Sequence, residues 1–503
     1  MKNSIIKKQT IQSTIFAYAG VLVGTITQAF LIPNFLTTEQ NGLLALLLSW
    51  MYVFCQIASL GFNSAGTKYF SFFRSPEENH RGFLFYGLLI NGIGLLIGTV
   101  FFVLGKPYLT HTEASGTNPL LDTYYFYLLP IAFATVLFNL FDNYARGLYD
   151  SVHGVFYSQF LQRLFFLLSL LTLVFGWFSF DQFMPLWVLA MSLPTAFMLF
   201  RAVRLGHFSL LPNATFFKGP YAAGFVQFAG FSILTGLSSM IIIHLDKIMI
   251  HKYLGLSETG IYNTAFLFAS VMGMSYNSVL KASSAIVVDA LAEENYAKIQ
   301  TIYKKSSINL LLFGAAILLL VWVNVDELFS FIKPEYAAGK WALLLIGIGK
   351  LVDLGNGING LILSNSKKYR YDSLLVISFV GILYVLNEWM IPSFGIDGAA
   401  YAALIALVYY NFVRTFLVWY FFRIHPFGKE QLILLLLFAL LVYVGQQLPT
   451  LSWPFLESIS QMTFQSILVG SLFLLGVYVS RVSPEVNQLI EVPFSYLRRF
   501  FKT

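Results

Sequence analysis
The run WALLLIGIGKLVDLGNGINGLIL (residues 341–363) is apolar almost throughout, yet it carries Lys350 and Asp353 near its midpoint. About 20 apolar residues are enough for a helix to cross a bilayer, and a charge inside such a helix is costly. On a helix of 100° per residue, Gly349, Lys350, Asp353, Asn356, Gly357, Gly360 and Ser364 share an arc of about 120°. The remaining positions are mostly Leu, Ile and Val. Lys350 and Asp353, three residues apart, can pair along the helix. Two readings follow. Either the pair neutralises itself to permit insertion while the glycines bring helices close, or this face lines a polar path through the membrane.

The same question arises elsewhere in the chain. Asn139, Asp142, Asn143 and Arg146 recur at i, i+3, i+4, i+7, which makes Asp142 and Arg146 candidates for an inner gate, or else a solvated helix end. Gln159 and Arg163 share a face, and Asn411 and Arg414 cluster with Tyr410. Each arginine either snorkels to an interface or lines a cavity. The group His244, Asp246, Lys247, His251 and Lys252 reads as an interfacial belt at the end of a span. The substrate-cavity candidates are therefore Lys350, Asp353, Arg414, Arg163, Asn356, Asn411 and Gln159. Three of these are basic and Asp353 alone is acidic, so a cavity built from them is net positive. It would attract an anion, and a phosphate or pyrophosphate best matches the arginine fork. No Walker loop, dinucleotide-binding glycine pattern, HExxH or Cys/His cluster is present in the sequence. No catalytic residue, cofactor, metal site or nucleic-acid partner is therefore expected. Transport must draw on an ion gradient (proton or sodium), the membrane potential or the substrate's own gradient.

The elements that must hold these residues are membrane helices. The chain is 57% hydrophobic and 11% charged over 503 residues, where soluble domains run near 25% charged. About 14 apolar runs of spanning length can be read, near 12–36, 41–63, 82–105, 122–146, 154–178, 183–203, 221–249, 260–282, 306–326, 341–363, 373–392, 397–422, 430–448 and 463–481. With the N-terminus in the cytoplasm, 23 of the 31 Lys and Arg fall on the inner side and five on the outer, which sets the orientation. The reading is an all-α polytopic protein of a cytoplasmic (inner) membrane with both termini cytoplasmic. The start, MKNSIIKKQTIQSTIFAYAG, reads as a retained first helix rather than a removed signal peptide. Residues 283–305 read as an amphipathic surface helix. Cys55 is the only cysteine, so no internal disulfide forms.

FLTTEQNGLLALLLSWMYVF (35–54) and YLGLSETGIYNTAFLFASVM (253–272) both run from an apolar helix end through a polar turn to a glycine, Gly42 or Gly260, and a new span. The offset of 218 residues carries the first six spans onto the next six. Such a repeat preserves orientation, so its axis runs along the membrane normal. The expected organisation is an N-terminal lobe at 1–218, a C-terminal lobe at 219–425, and two extra helices with a basic tail at 426–503.

These features, with HLDKIMIHKYLGLSETGIYNTAF (244–266) and the linker AIVVDALAEENYAKIQTIYKKSS (285–307), resemble the Wzx-type oligosaccharide flippases. These are polysaccharide biosynthesis membrane proteins of the multidrug/oligosaccharidyl-lipid/polysaccharide exporter superfamily. The linker departs from the family pattern in having Val287 and Val288 where a proline is expected. The resemblance implies a bacterial protein that moves a polyprenyl-pyrophosphate-linked oligosaccharide from the inner to the outer leaflet by alternating access. It also implies two lobes in a V around a cationic cavity. The partners implied are the lipid-linked glycan, membrane lipids, a coupling ion and the polysaccharide polymerase machinery. A lipid II flippase and a cation-coupled multidrug antiporter are rivals in the same superfamily. The antiporter's acid is expected in the first or seventh span, but the first has none and Asp246 lies at the outer end of the seventh; the arginine expected in the first span of a lipid II flippase is also missing. A membrane-embedded glycan-processing enzyme would need a large outer loop, and the span map leaves none.

Overall fold
The computed structural model describes residues 2–114, 116–206, 208–218, 221–448, 457–488 and 491. Arg498, Arg499 and Lys502 of the expected basic tail lie outside the described residues. The chain is helical because backbone polar groups in lipid must be satisfied within their own segment. The few strand residues form one short hairpin, His111–Thr112 against Gly116–Thr117.

The chain divides into two compact units, Met1–Asn263 and Thr264–Thr503. In unit 1, α1 is a continuous helix: Lys2–Thr25, a π-helical turn at Ile26–Leu31, then Ile32–Phe35. It is followed by α2 (Thr38–Ala58), α3 (Phe62–Phe73), α4 (Phe83–Leu109), α5 (Pro119–Gly147), α6 (Val152–Val174), α7 (Phe180–Arg204) and α8 (Ala222–Leu254). Helix α6 contains a second π-turn, Phe156–Leu161. Starts are set by local capping. The Thr37 hydroxyl accepts from the Gln40 amide at 3.2 Å while the Gln40 side chain accepts from the Thr37 amide at 3.0 Å. Asn118 caps α5 by accepting from Leu120 and Leu121. The core of unit 1 gathers Leu43, Leu47, Trp50, Tyr125, Leu128 and Trp187, all buried.

Helix α9 (Leu256–Ser270) passes through a 3-10 turn at Val271–Gly273 into α10 (Met274–Ala292). Unit 2 continues with α11 (Tyr296–Val323), α12 (Lys340–Gly355), α13 (Asn359–Asn365), α14 (Tyr369–Phe422), α15 (Lys429–Gln446) and α16 (Glu457–Ser480). The amphipathic stretch expected at 283–305 is not one helix. It breaks at Glu294, whose φ is 54°, and Asn295 caps α11 by accepting from the Lys298 amide at 3.1 Å.

Among the described residues, eleven helices are long and apolar enough to cross a membrane, or twelve if α12 and α13, bent by 55°, form one span. The difference from fourteen has two physical sources. The 54 residues of α14 would make a rod of about 80 Å at 1.5 Å per residue, far beyond the ~30 Å hydrocarbon layer. Gly395, at φ 63°, turns the chain, and a Cβ on Gly398 would lie 2.0 Å from the Met390 carbonyl oxygen. The arms then lie antiparallel: Ser378 meets Tyr409 at 3.2 Å and the Phe379 and Tyr410 rings are 4.9 Å apart. This one element thus holds both runs read at 373–392 and 397–422. The run read at 260–282 is instead interrupted at Val271–Gly273 and does not qualify by length and apolarity.

The two stretches proposed as repeats touch each other within unit 1. A Cβ on Gly42 would fall 1.8 Å from the Leu256 carbonyl oxygen, and one on Gly260 would fall 2.1 Å from the Thr38 carbonyl oxygen. Thr38 and Leu256 stand at the same offset as the glycines, so the contact is reciprocal. The Thr38 and Ser257 hydroxyls close it at 2.8 Å.

Candidate functional site
The break between α12 and α13 is built by glycine and repaired by side chains. Gly357 has φ +60°, and a Cβ there would crowd Ser306 and Ser307 of α11 at 3.0 Å. The Ser307 hydroxyl donates to the Gly355 carbonyl, freed by the break, and accepts from Gln431 of α15 at 3.1 Å. A broken helix is tolerated at membrane depth only where its freed polar groups are satisfied in this way. The single polar face expected from Gly349 to Ser364 therefore stops at Gly355, because the helix axis changes direction there.

Around this break the structure brings together four of the predicted residues. Asn411 donates to Asp353 at 3.1 Å. The Thr415 hydroxyl donates to Asn356 at 2.7 Å, and Asn359 donates to Thr415 at 3.2 Å. Arg414, one turn along α14, places Nη2 at 2.7 Å and Nε at 2.8 Å from Oδ1 of Asp372, and its guanidinium lies 4.3 Å from the centre of the Tyr410 ring. Both side chains of the ion pair are close to nine-tenths buried. Lys350 lies one turn before Asp353, half-buried. Among the described residues it makes neither hydrogen bond nor ion pair, so the pairing with Asp353 read from the spacing does not form. Asp353 is taken by the amide of Asn411 instead.

Sequence reasoning missed Asp372. It sits in KKYRYDSLL, beside three basic residues, and reads as loop. The turn at Gly395 folds the arms of α14 so that residues 372 and 414 fall opposite each other. Arg414 is consequently neutralised by the protein itself, and the net-positive inventory is corrected for unit 2: the cations Lys350 and Arg414 are matched in number by the carboxylates Asp353 and Asp372, although Lys350 pairs with neither.

In unit 1 the counterpart is different. Arg163 of α6 takes only a weak bond, to the Gln159 side chain at 3.4 Å. Its guanidinium lies against α1 at Gly24, where a Cβ would meet Nη1 at 3.1 Å. The π-turn carrying Gln159 packs on Gly20, where a Cβ would stand 1.8 Å from the Gln159 carbonyl oxygen. No carboxylate pairs with Arg163 among the described residues. At the end of α5, Asp142 and Arg146 are paired at 2.7 Å, with Asp142 packed on Gly154. The belt read at 244–252 is not exposed: His244, Asp246, Lys247 and His251 are buried. Tyr262 donates to Asp246 at 2.9 Å, and His244 shares a hydrogen bond with Ser49 at 3.1 Å.

A family model described as polysaccharide biosynthesis protein matches residues 6–287, a little over half of the chain. The protein belongs to this polysaccharide biosynthesis family. No curated protein matches it. The solved structures similar to this family member include a lipid II flippase, MurJ, in an inward closed conformation, with TM-score 0.69 and 12% identity over 92% of this chain and 98% of that one. An inward-facing multidrug resistance MATE family transporter of the MOP superfamily gives TM-score 0.64 at 15% identity, over 82% of this chain and 94% of that one. A MOP superfamily transporter from Pyrococcus furiosus, described as having a binding pocket of reverse polarity, gives 0.56 at 15%, over 83% and 96%. At these identities the likeness is one of fold, and the fold is that of membrane transporters and flippases.

Proposed function
We propose that this member of the polysaccharide biosynthesis family carries a polyprenyl-pyrophosphate-linked oligosaccharide from the inner to the outer leaflet of a bacterial cytoplasmic membrane, for surface polysaccharide assembly. The observation that carries the reading is the family match over residues 6–287. The charge inventory supports it. Arg163 in unit 1 and Lys350 in unit 2 are each intramembrane cations without a carboxylate partner among the described residues, and each lacks a counter-charge of the kind a diphosphate carries. Asp353, Asn356, Asn411 and Arg414 form the polar network beside Lys350, while Gln159 orients Arg163. Asp142 and Arg146 are proposed as an inner gate. Fourteen spans in a 6+6+2 arrangement with both termini cytoplasmic complete the reading, and the reciprocal contact of Gly42 and Gly260 supports the repeat. Energy comes from an ion gradient, the membrane potential or the substrate's own gradient.

Lipid II flipping is the second reading, favoured by the similarity to MurJ over 92% of this chain. One experiment separates the two: expression in strains lacking either an oligosaccharide flippase or the lipid II flippase. Rescue of surface glycan in the first strain alone supports the proposal. Rescue of only the second replaces it, and rescue of neither, with the protein present in the membrane, removes both.

A further inference from the structure
A pocket of about 690 Å³ opens in unit 1, at the end where Arg201 and Arg204 close α7. The candidate spans begin at Ile11 and Val152 and end at Arg204 around it, so it sits where a bilayer changes from hydrocarbon to headgroup. One wall is apolar: Phe16 of α1 and Phe156 of α6 meet edge to face at 4.7 Å, with Leu148 and Leu205 beside them. The other wall carries Gln9, Gln12, His153 and Arg201.

Asp150 organises the polar wall. Its Oδ2 accepts from Arg201 Nε at 2.6 Å and its Oδ1 bonds His153 Nδ1 at 2.8 Å. Both carboxylate oxygens are thereby occupied. The two terminal nitrogens of Arg201 and Nε2 of His153 have no hydrogen-bond partner among the described residues. Gln9 fixes the connector between α5 and α6 by donating to the Tyr149 carbonyl at 3.0 Å. A guanidinium fork and an imidazole held in place by one carboxylate, facing a wall of aromatic and aliphatic carbon, match an amphiphile with a phosphate at its polar end.

We propose that this pocket binds the phosphate headgroup of a membrane lipid. The free terminal nitrogens of Arg201 donate to the phosphate oxygens, Asp150 orients Arg201 and holds the His153 ring at the edge of the site, and the first methylenes of the chain lie along Phe16 and Phe156. The lipid is either a bilayer glycerophospholipid or a polyisoprenyl phosphate, which share this chemistry. Neither Arg163 nor Lys350 lines the pocket, and its occupancy does not depend on which substrate is transported.

The test is native mass spectrometry of the full chain in detergent, titrated separately with phosphatidylglycerol, with a polyisoprenyl phosphate and with diacylglycerol, which lacks the phosphate. Arg201→Gln alone leaves Asp150 Oδ2 without its ion-pair partner, so the variant is the double Asp150→Asn/Arg201→Gln. Leu205→Trp fills the pocket without touching its charges. We expect each variant to weaken binding of at least one phosphate lipid about tenfold, the equivalent of one charge-assisted contact, and to leave diacylglycerol unaffected. A loss confined to phosphatidylglycerol assigns the site to bilayer lipid, and one confined to the polyisoprenyl phosphate assigns it to a carrier. Unchanged retention of both lipids in both variants overturns the proposal, as does equal retention of diacylglycerol by the native chain. Displacement of bound lipid by millimolar inorganic phosphate also overturns it, since the free anion needs no apolar wall. If the double variant does not fold, Leu205→Trp decides alone. Strain rescue is measured independently, so rescue with unaltered binding sinks only this site.

Discussion

Arg163 and Arg414 are both arginines inside membrane-spanning helices, and the two units treat them in opposite ways. Unit 2 surrounds Arg414 with Asp372 at 2.7 Å, the Tyr410 ring and neighbouring helix walls. Unit 1 gives Arg163 a carboxamide at 3.4 Å and the cleared space beside Gly24. A charge that the protein has already neutralised has little left to offer a ligand, whereas one held by a single weak neutral partner keeps its donors available. The contrast separates a group that organises its unit from a group poised to meet an anion, although both look alike as an arginine in an apolar run.

The sharpest way to break this contrast is to remove the partner of the paired arginine. Asp372→Asn leaves Arg414 buried without counter-charge, a change that costs about 3–5 kcal/mol when one member of a buried pair is lost. We expect a large drop in membrane-inserted protein and in thermal midpoint. The double variant Asp372→Leu/Arg414→Met removes both charges and should recover most of that loss, because a buried pair replaced by apolar groups is often neutral. A thermal-shift cycle over the single and double variants measures it. If Asp372→Asn is as stable as the native chain, the pair does not neutralise Arg414.

The second comparison reverses the expectation for unit 1. Arg163→Gln should leave the thermal midpoint within about a degree or two, since no ion pair is lost, but, on the proposed function, should reduce glycan export by about tenfold or more, the worth of a charge-assisted hydrogen bond to phosphate. Lys350→Gln should behave likewise with a smaller loss, because a lysine contributes a point charge without the fork. Export per unit of membrane-inserted protein is the readout. Full export in both variants would remove these residues from the path.

How much of this was legible beforehand differs between fold and site. The run-by-run apolar pattern located the helices well, since lipid imposes the same demand on every span. It also placed Asp353, Asn356, Asn411 and Arg414 in candidate spans that the structure then brings together. It failed where a partner lay across a turn. Asp372 reads as loop because its neighbours are basic, and only the fold of α14 at Gly395 brings it to Arg414. The pattern also treated residues 341–363 as one straight helix, because the break at Gly357 is a matter of backbone conformation, which hydropathy does not record. Asp150, His153 and Arg201 went unremarked because Arg201 lies on a different helix, 51 residues from Asp150.

The glycine pair Gly42 and Gly260 offers a smaller but cleaner comparison, because the two make the same contact from opposite sides. A Cβ on either would lie about 2 Å from a backbone carbonyl oxygen, which cannot rotate away. Gly42→Ala and Gly260→Ala should therefore each destabilise unit 1 by about 1–3 kcal/mol, the usual cost of overpacking. By contrast, Gly92→Ala, which meets nothing within 4 Å, should be near neutral. Equal thermal midpoints for Gly42→Ala and Gly92→Ala would show that the glycine contact relaxes freely.

The smallest effect expected concerns the carboxylate outside the spans. Burial pushes the Asp150 carboxyl up, but hydrogen bonds from His153 and Arg201, with their charge, outweigh it and hold the group below its ordinary value of 3.8. A group lowered on folding stabilises the folded state above its unfolded value and loses that contribution as the pH falls through its folded value. The native chain should therefore lose thermal stability as the pH drops below about 4. Asp150→Asn should start less stable at neutral pH and lose less over the same range, because it has no proton to take up there. The effect is a few degrees at most, since Arg201 and His153 remain partly in contact with solvent and screening reduces such pairs. Parallel acid profiles for the two proteins would mean that another carboxylate governs the acid limb, Glu485 on Lys305 being the next in line because that lysine's hydrogen bond also lowers it.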